Sequence, residues 1–241
     1  MRWESEGIIL GFNNYNEKSY ILDIFTKEHG RHKGLIRGIH SKNLRSVIEP
    51  GNEVKAFWSG RLETHLGNFK VEPIKSWSSF ILNNKNKLSA LSSLCSLISS
   101  TMAEKQPNDL IYNRSREIIQ IMTSKDDQWI KEYINWELDL LSEIGYGIDL
   151  SSCVVTEKKD GLMYVSPTSG RAVTSEGAGI YRNKLIKLPA FILLKECQCS
   201  REDIINGLEL TEHFLRKRFF EPNNLNFPQS RNRLKEMFSN Y

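Results

Sequence analysis

Over the first eighty residues the apolar positions come in short β-branched and aromatic runs, at Gly7 to Gly11, Ser19 to Phe25, Gly34 to Ile39, Val54 to Trp58 and His65 to Ile74. Runs of that length and composition read as strands. Asn13-Asn14, His29-Gly30, Pro50-Gly51 and Ser59-Gly60 stand between them, and Gly and Asn accept the positive φ that tight turns require. Five short strands in so small a span predict a closed barrel of the OB type.

After about residue 81 the period changes. Leu88, Leu91, Leu94, Cys95, Ile98 and Met102 recur at three and four, which predicts a helix with one apolar stripe. Asp126 and Asp127 are placed to cap a second helix bearing Ile130, Tyr133, Ile134, Leu138, Leu141 and Ile144, and Gly145-Tyr146-Gly147 stops it. Trp129, Tyr133 and Trp136 lie at helical spacing on it and read as core. Ser151 to Gly179 is rich in Ser, Thr and Gly, and reads as a loop or a β-hairpin insert. Pro189 opens a further helix, and Ser200-Arg201-Glu202-Asp203 has the form of a capping box before another that runs toward Arg218. Asn223 to Ser230 reads as a polar linker. The expected architecture is α+β and multi-domain, with a barrel over residues 1–80 and a mostly helical domain over residues 81–241 that carries an irregular insert at about 150–182.

The 241 residues, 39% of them hydrophobic, suffice for a packed core. Apolar stretches such as Phe191 to Leu194 fall far short of the roughly 20 residues a membrane span needs. The opening Met1-Arg2-Trp3-Glu4-Ser5-Glu6 lacks the basic start and apolar middle of a secretory signal, so a cytoplasmic protein is expected. Four cysteines at 95, 153, 197 and 199 form no disulfide framework. A net charge of +4 identifies no partner by itself.

The distribution of charge is more informative. Arg31, Lys33, Arg37, Lys42 and Arg45 fall within fifteen residues, and no Asp or Glu stands between His29 and Ile48. A barrel strand and its following loop can present such cations along one groove, where they neutralise phosphates and release counterions. Tyr15, Phe57 and Trp58 are the nearby aromatics available for stacking. The competing reading is a solvated basic loop with its aromatics in the core. Five phosphate contacts would give a single-strand salt slope of about −3.5, from about −0.7 per contact. No P-loop, HExxH, GxSxG or GxGxxG is present, the acids are scattered rather than clustered for metal-dependent nuclease chemistry, and three of the five histidines sit in the basic segment. Neither an enzyme nor a cofactor is expected.

Two phrases carry a family resemblance. Glu17-Lys18-Ser19-Tyr20-Ile21-Leu22-Asp23-Ile24-Phe25-Thr26, followed by Gly30-Arg31 and by Gly38 with Ser41-Lys42, is one. Trp136-Glu137-Leu138-Asp139-Leu140-Leu141, followed by Gly145-Tyr146-Gly147 and Cys153, is the other. Together they resemble the RecO family of bacterial recombination mediators over essentially the whole chain. The resemblance implies an N-terminal OB-fold and a helical domain with a zinc-finger-like insert in some members. It also implies binding of single- and double-stranded DNA, annealing of complementary strands, and action with RecR to help RecA replace single-stranded DNA-binding protein. The barrel face with Arg31, Lys33, Arg37, Lys42 and Arg45 is then the expected DNA-binding surface.

This chain departs from that pattern twice. Cys153 stands alone, with Thr156 where a CxxC partner would be and neither Cys nor His from Ser169 to Gly179, while Cys197-Gln198-Cys199 has the wrong spacing, so no zinc is expected. Relatives place basic residues just before the aromatic-Glu-Leu phrase, implicated in gripping the acidic, Phe-ended tail of single-stranded DNA-binding protein; here those places hold Ile134 and Asn135. A corresponding grip would use Lys131, or Arg216 and Lys217, whose ordinary role is solvated helix surface. The other readings in play are a protein-interaction adaptor with incidental basicity and an RNA-binding barrel.

Overall fold

The computed structural model describes the chain apart from residues 18, 39–41, 63, 125–127, 195–198 and 240–241; the side chains of residues 42 and 43 also lie outside the description. It falls into two compact units, Met1–Lys125 and Asp126–Tyr241.

The first unit is built on β1 (Arg2–Asn16), β2 (Ser19–Thr26), β3 (Gly30–Arg37), β4 (Glu53–Ser59) and β5 (Asn68–Lys75), closed in the order β1-β2-β3-β5-β4. Closure depends on the length of β1, whose first half pairs with β4 and whose second half pairs with β2. The expected turn at Asn13-Asn14 is therefore corrected. Asn13 pairs with Ile21 and Asn14 with Tyr20, so the ladder satisfies their backbone groups and the chain reverses only beyond Asn16. Inward Val54, Ala56 and Trp58 alternate with outward Lys55, Phe57 and Ser59 along β4, as a strand with one buried face demands. Ile9, Leu22, Ile24, Ile36, Phe69 and Val71 complete the barrel core.

Between β3 and β4, α1 (Lys42–Val47) packs Leu44 and Val47 against that core. After β5 come α2 (Ser78–Ile81), α3 (Lys85–Thr101) and α4 (Asp109–Thr123). The Asn84 side chain caps α3 by accepting from the Lys87 N–H at 3.1 Å, and of the expected stripe, Leu91, Leu94, Cys95, Ile98 and Met102 are buried while Leu88 is half-buried. The sequence reading assigned no element to α4, although Asn108 caps it and Ile111, Ile118, Ile119 and Met122 form a buried helical face. Two turn glycines also set how this unit packs. A Cβ on Gly51 (φ +85) would lie 2.5 Å from the Leu91 side chain, and one on Gly30 (φ +67) would lie 2.1 Å from the Gln106 carbonyl oxygen.

The second unit contains α5 (Trp129–Glu143), β6 (Leu162–Val165), β7 (Ala172–Thr174), α6 (Ser175–Ala178), a 3-10 helix (Gly179–Lys184), β8 (Ile186–Lys187), α7 (Ala190–Leu193), α8 (Arg201–Phe214), a π-helix (Leu215–Phe220) and α9 (Gln229–Ser239). Of the two expectations for the insert, the hairpin holds: β6 and β7 are antiparallel, and β8 adds a third strand in the order β7-β6-β8. The proposed caps Asp126 and Asp127 lie outside the described residues. Both bonds of the Ser200–Asp203 capping box form. Trp129, Tyr133 and Trp136 are buried, as read from their spacing.

The expected polar linker is corrected at its end, because α9 starts at Gln229 and buries both Ser230 and Arg231. The partner of Arg231 is Glu137 on α5. Its Nε reaches Oε1 at 2.5 Å and its Nη2 reaches Oε2 at 3.0 Å, with both side chains fully buried. Tyr133 and Thr211 hydroxyls donate to the same carboxylate at 2.8 and 2.5 Å. Burial alone would lower the Arg231 pKa, but the charge and hydrogen bonds of Glu137, together with Tyr133 and Glu212, outweigh it and the pKa is raised. Among the described residues, no helix is long and apolar enough to cross a membrane.

Candidate nucleic-acid interface

The five cations of the basic segment do not form one surface. Arg31 is buried on β3, and its Nε donates to both carboxylate oxygens of Asp23 on β2 at 3.1 and 3.0 Å. Its Nη2 lies 2.9 Å from Asp23 Oδ2, and its Nη1 donates to the Met102 carbonyl at 3.3 Å. Ser99 also donates to Asp23 Oδ2 at 2.8 Å, and the Lys105 N–H donates to the Arg31 carbonyl at 2.8 Å. With Gly30 making room for the Gln106 backbone, the Gly30-Arg31 phrase joins the barrel to the segment between α3 and α4. Placing Arg31 on a DNA surface is thereby corrected, because its guanidinium is occupied inside the fold.

Lys33 is half-buried and pairs with Glu104 at 2.7 Å, a hydrogen bond that holds the Glu104 carboxyl below its ordinary range. Arg37, at the end of β3, is exposed, and so is Arg45 on the solvent side of α1. Lys42 belongs to α1, but its side chain lies outside the described residues. The outward cations with described side chains are thus Arg37 and Arg45, flanking the segment whose charge was read from sequence.

The hairpin end joining β1 to β2 stands beside Arg37. Ser19 pairs with both Asn16 and Arg37, and Asn16, Glu17, Ser19 and Arg37 line a groove of about 490 Å³. Tyr15 near this tip is 58% exposed, so its ring face is available. Trp58 is corrected as a stacking candidate: it is fully buried in the barrel, its indole N–H donates to the Leu66 carbonyl at 3.1 Å, and Trp3 stacks on it at 5.8 Å. His32 lies edge-on to both tryptophans, and burial lowers its pKa. Phe57 faces outward under Lys55 and Lys70, at 5.3 and 5.6 Å from its centroid. Those lysines already pair with Glu4 and Glu72.

The cations suggested for a partner tail are also dispersed. Lys131 is buried in α5, so its place on a docking surface is corrected. Arg216 lies on the π-helix, pairs with Glu212 at 2.7 Å and stacks on Phe227 at 4.0 Å. Lys217 is exposed and pairs with Glu221 at 2.8 Å. Arg216 and Lys235 do line a groove of about 610 Å³ with Leu185, Ile186 and His213. The neighbouring Arg218, which sequence reasoning left without a role, clamps the insert. It donates to the Tyr146 and Gly147 carbonyls at 3.4 Å and to the Thr168 carbonyl at 3.3 Å, over the Phe214 ring.

Around Cys153 the donor set does not fit a structural zinc, which requires four thiolate or imidazole ligands. The buried Sγ instead accepts from the backbone N–H groups of Val155, Thr156 and Thr174 at 3.4, 3.3 and 3.2 Å, and lies 3.5 Å from the Thr174 hydroxyl. Burial pushes this thiol up, but the Thr156 and Thr174 donors outweigh it and bring the pKa down to about 6. At Cys95 burial outweighs the backbone hydrogen bond from Gly51, and the thiol is pushed up to about 12. Cys197 lies outside the described residues.

Comparison with known proteins completes the picture. The family model "Recombination protein O N terminal" matches residues 1–77, and "Recombination protein O C terminal" matches residues 83–224. A DNA repair protein RecO of Ruegeria sp. is 36% identical over 215 residues, covering 89% of this chain and 88% of the relative. Those of Cereibacter sphaeroides and Bartonella tribocorum are 34% and 36% identical over 240 and 242 residues; each comparison covers 99% of this chain, with 99% and 96% of the relatives. Two models spanning barrel and helical region, with relatives alike from end to end, show that the chain belongs to the recombination protein O family.

Proposed function

We propose that this protein acts in DNA repair and recombination as a non-catalytic mediator that binds single- and double-stranded DNA through the β1–β2 hairpin and α1 side of an OB-type barrel. Family membership supports the repair role. The observation that carries the DNA reading is that Arg37 and Arg45 are exposed in a stretch with no acid between His29 and Ile48, and that Arg37 stands beside a hairpin end with an exposed Tyr15. Lys42 belongs to the same proposed surface. Cations there meet phosphates, and the Tyr15 ring takes a base face. With Arg31 inside the fold and Lys33 shared with Glu104, phosphate contact falls to Arg37, Lys42 and Arg45.

The same reading assigns strand annealing, action with RecR, and indirect help to RecA on DNA coated by single-stranded DNA-binding protein, in the bacterial cytoplasm. For the acidic, Phe-ended tail of that coat protein, the groove lined by Arg216 and Lys235 with Leu185 and Ile186 sets cations beside apolar side chains, and the tail would compete with Glu212, which pairs with both cations; Lys217 belongs to the same proposed grip. No cofactor enters. Fluorescence titration of the full chain with labelled oligonucleotides tests the reading: Arg37→Ala/Arg45→Ala should weaken binding about tenfold or more with the melting temperature unchanged. Unchanged affinity would refute the assigned face, and a wild-type protein that binds no oligonucleotide would leave the adaptor reading.

A further inference from the structure

In the second unit the insert holds large apolar side chains out in water. Ile180 is 90% exposed and its chain neighbour Tyr181 60%. Single exposed apolar residues need no explanation, but a cluster does. This one is held in place. Thr174 caps α6 by accepting from the Gly177 N–H at 3.0 Å, and Gly179 then adopts φ 45 and ψ −131, a conformation that suits glycine alone. The chain turns there and sends Ile180 and Tyr181 outward on the 3-10 helix. The Arg182 guanidinium is hydrogen-bonded to the Tyr164 hydroxyl and lies over its ring, and the Lys184 ammonium sits 5.8 Å from the Tyr181 ring centre.

The turn itself carries only cations, and the nearest acid before it in the chain, Glu176, is paired with Lys158 at 2.6 Å. From Gly177 to Leu188 the chain carries Arg182, Lys184 and Lys187 and no acid; Lys187 pairs with Glu202, while Arg182 and Lys184 remain exposed. A peptide side chain needs a pocket to enter, whereas Ile180 and Tyr181 protrude. A protruding aromatic ring beside cations suits a nucleobase, whose flat face stacks without a cavity while its phosphates meet the charges.

We propose that the Ile180–Lys184 turn is a second single-strand contact, in which one base stacks on Tyr181 and adjoining phosphates meet Arg182 and Lys184. The inference rests on the DNA-binding reading above and extends it, since an annealing protein needs more than one place to hold strand. The test uses the full chain with a 4-thiothymidine oligonucleotide for photo-crosslinking and a fluorescent oligonucleotide for affinity, comparing wild type, Tyr181→Phe, Tyr181→Ala, Lys184→Ala and the barrel variant Arg37→Ala/Arg45→Ala. The crosslink should map to the peptide containing Tyr181. Tyr181→Ala should lose about tenfold in affinity, the scale of one stacked base, while Tyr181→Phe stays near wild type. If the barrel variant loses affinity while Tyr181→Ala and Lys184→Ala keep it, this inference is overturned and the barrel reading stands. The opposite pattern upholds the insert and removes the barrel face. Crosslinking confined to the first unit, or a Tyr181→Ala defect in capture of an acidic peptide alone, overturns the proposal.

Discussion

Replacing Arg31 by Met separates the two roles that its position suggests. The sequence places it among DNA-binding cations, whereas the structure places it against Asp23 with both side chains about one-tenth exposed. Removing the guanidinium leaves Asp23 with the Ser99 hydroxyl as its remaining described donor and frees the Met102 carbonyl. Breaking one side of a buried ion pair costs about 3–5 kcal/mol, because the surviving charge is stranded away from water. Arg31→Met should therefore lower stability by about that amount. The double variant Asp23→Val/Arg31→Met should recover most of it, since an apolar pair leaves no buried charge. Urea denaturation followed by tryptophan fluorescence reads the cycle, Trp3, Trp58 and Trp77 all lying in this unit. Oligonucleotide affinity measured at low temperature, where Arg31→Met remains folded, should match wild type within about twofold. Near-native stability combined with a tenfold loss of DNA binding would refute the structural assignment.

Further expectations follow from the second unit. Arg231→Met should destabilise it by about 3–5 kcal/mol and speed hydrogen exchange of α9 amides, because Glu137 would keep its charge with its main partner gone; protection of α9 at wild-type levels would contradict the lock. A Gly170→Ala change, at φ +74 with a Cβ 2.6 Å from the Arg218 Nη2, should displace that guanidinium and raise exchange at Tyr146 to Thr168 while leaving the barrel unaffected. Cys153 makes stability pH-dependent. Its folded pKa of about 6 lies below the ordinary 9.0, so the contribution is full above 9.0 and is lost as pH falls through about 6. The stability gap between wild type and Cys153→Ala, from urea midpoints, should thus narrow from pH 9 to pH 6. A gap independent of pH would mean that the thiol does not ionise in the fold.

Much of the fold was legible because its periods are local. Alternation along β4, the three-four stripe of α3 and the capping box at Ser200 each depend on residues a few places apart, and each appears where the pattern put it. What escaped depends on distant partners. Asn13-Asn14 has turn composition, yet β2 pairs with it and carries β1 onward. The polar start of α9 hides Arg231, whose burial makes sense only once Glu137, 94 residues earlier, is opposite it. The candidate site shows the same division. Clustering of cations was visible in one dimension, but whether each meets water or an acid was not: Asp23 and Glu104 take Arg31 and Lys33, and Arg37 and Arg45 remain outward. The insert's role was illegible for another reason, since Tyr181 is exposed through the backbone turn at Gly179 rather than through any periodic pattern.

The salt dependence of oligonucleotide binding tests the central claim most directly. With contact at Arg37, Lys42 and Arg45, the slope of log K against log salt for a short single strand that reaches only the barrel should be about −2, from about −0.7 per phosphate. A slope near zero would contradict the account, and one near −3.5 would mean that Arg31 and Lys33 leave their acidic partners to meet the strand.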